Sequence, residues 1–154
     1  MPNTYSQIYI QMIFAVKGRE CFIKESFREE LQKYISGIVA NKKQKLYSIY
    51  CMPDHTHLFV SMKPDMAVSD LVRDIKSNSS SFIKEKKWVN SLFSWQGGFG
   101  AFSYSKSQGK AVVDYILTQP EHHSKITFRE EYLDFLKNMK LNTTKNICLN
   151  FMNN

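Results

Sequence analysis

In Cys51-Met52-Pro53-Asp54-His55-Thr56-His57-Leu58-Phe59-Val60, and on to Met62, residue character alternates. Leu58, Val60 and Met62 make one apolar set, and His55, His57, Phe59 and Ser61 the other, which is the period of a β-strand. Successive strand side chains point to opposite faces, so His55 and His57 share a face and both imidazoles can reach one ion with little backbone rearrangement. Any strand with a wetter face can carry two such residues without an ion. The pair therefore takes its meaning from what the rest of the chain sets beside it.

Upstream, residues 5–16 read as a long strand in which Ile8, Ile10, Met12, Phe14 and Val16 alternate with Tyr9, Gln11 and Ile13. Over residues 25–41 the period becomes helical, through Phe27, Leu31, Tyr34, Ile35, Ile38 and Val39. Residues 46–52 form a second strand, and Pro53-Asp54 turns the chain into the histidine strand. Downstream, Val68, Leu71, Val72, Ile75, Phe82 and Ile83 outline a helix to about residue 87. An aromatic loop over residues 88–100 and a strand over 101–105 follow.

The order strand, helix, strand, strand, helix, strand predicts an α+β fold, the ferredoxin-like βαββαβ arrangement of an antiparallel sheet with both crossover helices on one face. Leu58, Val60 and Met62 then face those helices, and His55 and His57 lie on the open face. Two added C-terminal helices are available to cover it. One spans 107–119, with Val112, Val113, Ile116 and Leu117 on its apolar side. The other opens after Pro120 at the capping box Thr127–Glu130 and carries Tyr132, Phe135, Leu136 and Met139. Nothing divides the chain, so residues 1–140 read as a single domain and 141–154 as a weakly ordered, asparagine-rich tail.

The 154 residues carry 21 Lys and Arg against 14 Asp and Glu, a net charge of +7 that favours polyanionic partners through counterion release. On the second helix, Arg73, Lys76, Ser77, Ser80 and Lys84 fall on one stripe, cations and small hydroxyls suited to a nucleic-acid backbone. The aromatics of the 88–100 loop could stack unpaired bases, though packing suits most of them as well. Cys21, Cys51 and Cys148 are odd in number and form no Cys-x-x-Cys pair, so reduced thiols are expected rather than a disulfide framework. No apolar run has the length of a membrane span and no signal-peptide pattern opens the chain; a soluble cytoplasmic protein is the expectation.

The helix after the fourth strand reads Asp114-Tyr115-Ile116-Leu117-Thr118-Gln119-Pro120-Glu121-His122-His123. Tyr115 and Gln119, four apart, project from one helix face and could bring a phenol and a carboxamide oxygen to the histidines. Met-Pro-Asp-His-x-His, followed by Asp-Tyr-Ile-x-x-Gln-x-Glu-His-His, resembles the IS200/IS605-type transposases, the single-tyrosine (Y1) members of the HUH (His-hydrophobe-His) endonuclease class. The resemblance covers residues 5–132. It implies that Tyr115 is the nucleophile, that His55, His57 and Gln119 are metal ligands, and that the cofactor is a divalent metal, Mg²⁺ or Mn²⁺. It also implies a substrate of single-stranded DNA with hairpin ends and a homodimer whose subunits share active sites.

The expected activity is that of a DNA transposase, a strand transferase that cleaves through a 5′-phosphotyrosine and rejoins strands. A domesticated relative acting on dispersed repeats and a non-catalytic ferredoxin-like nucleic-acid-binding module are the alternatives. Thr56 stands where the family pattern has a hydrophobe, and by strand geometry it points away from the ion. Pro120 disfavours a helical conformation at Gln119, placing that ligand at a helix end or kink. His122 and His123 are read as residues near a helix terminus rather than as catalytic groups.

Overall fold

The computed structural model describes residues 3–90 and 92–138. Strands β1 (Tyr9–Ala15), β2 (Lys45–Cys51), β3 (His55–Ser61) and β4 (Gly100–Tyr104) form one antiparallel sheet in the order β2-β3-β1-β4. Helices α1 (Glu25–Asn41) and α2 (Val68–Lys86) are the two crossovers. The expected ferredoxin-like α+β architecture is the one observed. The expected tail, residues 141–154, and Cys148 within it lie outside the described residues.

The sheet sorts its side chains as strand alternation requires. Met12, Phe14, Cys51, Leu58 and Val60 are buried together with Phe27, Leu31 and Ile35 of α1 and Leu71, Val72 and Ile75 of α2. The aromatic loop joins this layer. Trp88 stacks on Phe27 at 4.5 Å, and Trp95 meets Phe14 edge-on at 4.9 Å while donating to Ser79 Oγ at 2.9 Å. Trp95 is buried and Trp88 is partly buried with Phe27 stacked on its ring, so both rings serve the core. Val16, expected to end β1, leaves the sheet and makes an isolated bridge with Trp95.

The opposite face carries the histidines. Residues directly opposed in antiparallel strands share a face, and β3 sets His57 against Ile13 and Tyr50, and His55 against Ala15. Three helices cover this face: α3 (Gly109–Leu117), α4 (Gln119–His123) and α5 (Phe128–Asn138). The first of the two expected C-terminal helices is thus broken in two at Thr118, and Pro120 sits in the first turn of α4, where its missing N–H has no helical partner to lose. Val112 and Ile116 of α3 pack on Phe59. Phe128, Tyr132 and Leu136 of α5 pack on Ile13, Ala15 and Phe102.

Gly100 sets how close α5 comes to the sheet. A Cβ on this residue would lie 3.0 Å from both Cε2 and Oη of Tyr132, so the Tyr132 ring would have to give by a few tenths of an ångström. The glycine is needed here for close approach rather than for a special backbone angle.

Candidate metal and tyrosine site

His55 and His57 are both 0% exposed, sealed between the sheet and the three added helices. Asp54 Oδ1 accepts a hydrogen bond from His55 Nδ1 at 2.7 Å, which leaves the Nε2 lone pair of that ring directed inward. Burial lowers the His55 pKa, with the Asp54 contact opposing, so the ring is neutral and able to donate its electron pair. Gln11 Nε2 donates to His57 Nδ1 at 3.1 Å, and His57 Nε2 in turn donates to Glu131 Oε1 at 2.9 Å. Two residues of one strand thus stand in opposite tautomers, each fixed by its outer partner.

The break at Thr118 turns Gln119 into the interior, where it is 0% exposed. Its Oε1 lies 3.4 Å from His55 Nε2 and accepts from His123 Nε2 at 2.9 Å, and its Nε2 donates to Glu131 Oε2 at 3.0 Å. Gln119 therefore joins the two histidines as expected, and Pro120 helps by starting the short helix that redirects it.

Glu131 of α5 is the hub. It is 1% exposed and also accepts hydrogen bonds from the Tyr115 hydroxyl at Oε2 and from His123 Nε2 at Oε1, the latter at 3.2 Å. Burial alone would raise its pKa, but the hydrogen bonds from His123, His57 and Tyr115 outweigh that and hold it well below the usual carboxylate range. His123 donates from both ring nitrogens, since Nδ1 also bonds the Ile126 carbonyl at 3.1 Å. Burial opposes its charge, yet the bond to Glu131 and that anion keep its pKa raised. Tyr115 is pushed the other way from reactivity. Burial first, then the adjacent Glu131 anion, drive its phenol pKa upward.

His55, His57, His123 and Glu131 each offer a ligand atom, and these atoms all lie within 4.8 Å of one another. The donor set fits a divalent cation. With His55 protonated on Nδ1, its bare Nε2 faces Gln119 Oε1 at 3.4 Å and Glu131 Oε1 at 3.6 Å. Both oxygens accept N–H groups here, Gln119 Oε1 from His123 and Glu131 Oε1 from His123 and His57, and release of those protons would leave a cluster of facing electron-pair donors that a cation satisfies. Imidazole nitrogens combined with one carboxylate suit Mn²⁺ and later transition ions better than they suit Mg²⁺.

The structure brings together Tyr115, His55, His57 and Gln119, four residues singled out in the sequence. The His57 and Tyr115 rings are 6.2 Å apart. It adds Glu131, which sequence reasoning passed over, and His123, which was read only as a residue near a helix terminus. A signal for Glu131 existed. It stands three residues after Phe128 and four before Phe135, so it is a carboxylate on the apolar face of its own helix, where an unpaired charge is costly.

The stripe on α2 is elsewhere. Because α2 covers the other face of the sheet, Arg73, Lys76, Ser77, Ser80 and Lys84 lie on the layer opposite the histidines. Arg73 pairs with Asp70 at 2.8 Å on the surface, and Lys84 is exposed. Lys76 Nζ is committed to the Gln96 and Gly98 carbonyls at 2.7 and 2.5 Å, and burial pushes its pKa down to about 8. That lysine ties the aromatic loop to α2.

A family model described as Transposase IS200 like matches residues 4–119. The chain belongs to this transposase family. Among curated proteins, the ISDra2 transposase TnpA of Deinococcus radiodurans is 26% identical to it over 120 residues, which cover 73% of this chain and 84% of that protein. Two solved structures share the fold. One is a transposase from Deinococcus radiodurans R1, with a TM-score of 0.58 at 20% identity over 77% of this chain and 95% of that one. The other is a REP-associated tyrosine transposase bound to a REP hairpin, with a TM-score of 0.60 at 17% identity over 82% of this chain and 74% of that one. The family match takes in His55, His57, Tyr115 and Gln119 and stops there. His123 and Glu131 of the transposase come from the segment beyond it.

Proposed function

We propose that this transposase cuts and rejoins single-stranded DNA through Tyr115, beside a divalent ion, Mg²⁺ or Mn²⁺, held by His55, His57 and Gln119 with Glu131 and His123 completing the donor set. One observation carries the reading. The Tyr115 hydroxyl and His57 Nε2 are bonded to the two oxygens of one buried carboxylate, Glu131, so a nucleophile-bearing residue and a metal-donor cluster form a single unit.

A divalent ion bound there supplies Lewis acidity toward a phosphate oxygen. The residues of the chain do the rest. Tyr115 Oη attacks phosphorus and the bond from phosphorus to the 3′ oxygen breaks. The phenolic proton passes by way of Glu131 Oε2 to solvent, and the departing oxygen takes one from solvent and leaves as a 3′-OH, giving a 5′-phosphotyrosine. The new ester keeps the phosphodiester bond energy, so the 3′-OH of another strand can attack it and rejoin DNA without ATP. In the metal-free arrangement the Glu131 anion holds the phenol protonated; neutralising that anion removes the electrostatic part of the penalty.

Hairpin-bearing element ends are the proposed substrate, a reading supported by the structural neighbour bound to a REP hairpin. Among the described residues no helix is long and apolar enough to cross a membrane, and we place the reaction in the cytoplasm. A homodimer is also proposed. The Tyr115 of a single chain already stands next to its own histidines, so exchange of tyrosines between subunits is a separate question. Mixing Tyr115→Phe with His57→Ala subunits answers it, because only exchange rebuilds one complete site.

The deciding experiment incubates the protein with labelled single-stranded DNA carrying the element ends and Mn²⁺. Wild type should form a denaturation-resistant adduct and Tyr115→Phe none. Absence of adduct from wild type, or its survival in Tyr115→Phe, would sink the assignment.

A further inference from the structure

A cavity of about 440 Å³ opens beside the Tyr115 phenol, between β4, α3 and α5. Its size is that of a small-molecule site. Of the four clustered metal-donor residues only Glu131 lines it, so it is not the seat of the ion. Among the described residues no Lys or Arg lines it either, while two carboxylates, Glu131 and Asp134, do. With two carboxylates in this wall, the cavity offers no seat for a phosphate of its own, and the scissile phosphate belongs on the metal-donor side of Tyr115.

What remains is flat, uncharged and rich in hydrogen-bonding edges. Tyr104 and Phe135 supply aromatic surface, and Gln108, Asp134 and Asn138 supply polar groups. The Gln108 carbonyl oxygen is taken by the Ser105 N–H at 2.9 Å, which leaves the NH₂ end of that side chain for an incoming acceptor. Asp134 is exposed and offers a carboxylate to incoming N–H donors.

We propose that this cavity receives an unstacked nucleobase, that of a nucleotide joined to the phosphate Tyr115 attacks, and that it favours bases bearing an exocyclic amine over thymine. The inference rests on Tyr115 being the nucleophile. It then follows from contiguity, since the cavity wall includes the attacking residue and a base is tethered to the scissile phosphate by one sugar. Single-stranded DNA lowers the cost of entry, because its bases are already unpaired and partly unstacked. Aromatic stacking holds any base, and the carboxylate with two carboxamides selects among them by their edges.

The test needs no DNA cleavage. The four deoxynucleoside 5′-monophosphates, with deoxyribose 5-phosphate as the base-less control, are titrated into the protein. Side-chain amide signals of Gln108 and Asn138 are followed by NMR. dAMP, dCMP and dGMP should shift them, dTMP should bind at least about fivefold more weakly, and the sugar phosphate should leave them unmoved. Asp134→Asn should bring the amine-bearing nucleotides to the level of dTMP. Equal shifts from the sugar phosphate, or none from any nucleotide, overturn the proposal.

A second measurement separates the two claims. Element-end DNA with abasic sugars on both sides of the cleaved phosphate should give adduct at least about fivefold more slowly. A normal rate on that DNA overturns the base pocket and leaves the phosphotyrosine reading standing. Failure of every DNA to form adduct sinks the nucleophile instead, while the nucleotide titration still decides whether the cavity takes bases.

Discussion

Replacing Glu131 by Gln is the most informative single change, because it alters charge with almost no change of volume at the hub of the site. The carboxylate is 1% exposed and accepts from His57 at 2.9 Å, Gln119 at 3.0 Å, His123 at 3.2 Å and the Tyr115 hydroxyl. Summing about 1.5–3 kcal/mol for each bond to a charged acceptor would overshoot, since burying the carboxylate costs much of it back. Breaking a buried charged pair by removing one partner costs about 3–5 kcal/mol, and the Gln carbonyl retains some accepting capacity, so about 3 kcal/mol is expected. At about 2–4 °C per kcal/mol for a domain of this size, Tm should fall by about 6–12 °C in chelator near neutral pH.

The loss should vary with pH. Glu131 has a depressed pKa in the folded state, so its stabilisation is present above the ordinary carboxylate value of 4.5 and is lost as pH falls toward the folded value. His123 has a raised pKa, so its stabilisation is full below 6.5 and is lost as pH rises through its folded value. The gap between wild type and Glu131→Gln should therefore be widest between these limits and narrow on both sides. Thermal melts by circular dichroism across that range provide the measurement, repeated with Mn²⁺, which should raise the wild-type Tm more than that of the variant. An unchanged Tm in chelator, or a gap that stays constant below pH 4.5, would refute the account of Glu131 as a buried, charged hub.

Gly100→Ala should displace the Tyr132 ring of α5 by a few tenths of an ångström, lowering Tm and weakening Mn²⁺ binding together by calorimetry, because α5 carries Glu131. Gln119→Ala should weaken Mn²⁺ binding by about 10- to 100-fold, the range for a group that orients or completes a metal site, with α3 helicity retained. Lys84→Ala should weaken single-stranded DNA binding and reduce the salt slope by about 1 if α2 tracks phosphates. Lys76→Ala should leave that slope unchanged and lower Tm, since its ammonium is spent on the Gln96 and Gly98 carbonyls.

Much of this site was legible in the chain alone, because local geometry decides it. A strand places residues two apart on one face, which is enough to pair His55 with His57. A helix places residues four apart on one face, which couples Tyr115 to Gln119 even across the break at Thr118. Alternation along β3 also told which face the crossover helices would cover and hence which face was left for the histidines. The aromatic loop and the α2 stripe were less legible. Trp95 and Lys76 have the composition of a nucleic-acid surface, and only packing shows that one is anchored to Ser79 and the other to loop carbonyls.

Glu131 and His123 belong to the tertiary structure. Glu131 is 74 residues from His57, and no local period links a carboxylate on the last described helix to an imidazole on the third strand. Their meeting depends on how near α5 can lie to the sheet, which the missing side chain of Gly100 allows. Sequence thus determined which side chains share a face. The docking distance of α5 decided that a carboxylate, rather than water, stands between the tyrosine and the histidines, because only packing fixes contacts between elements with no shared period.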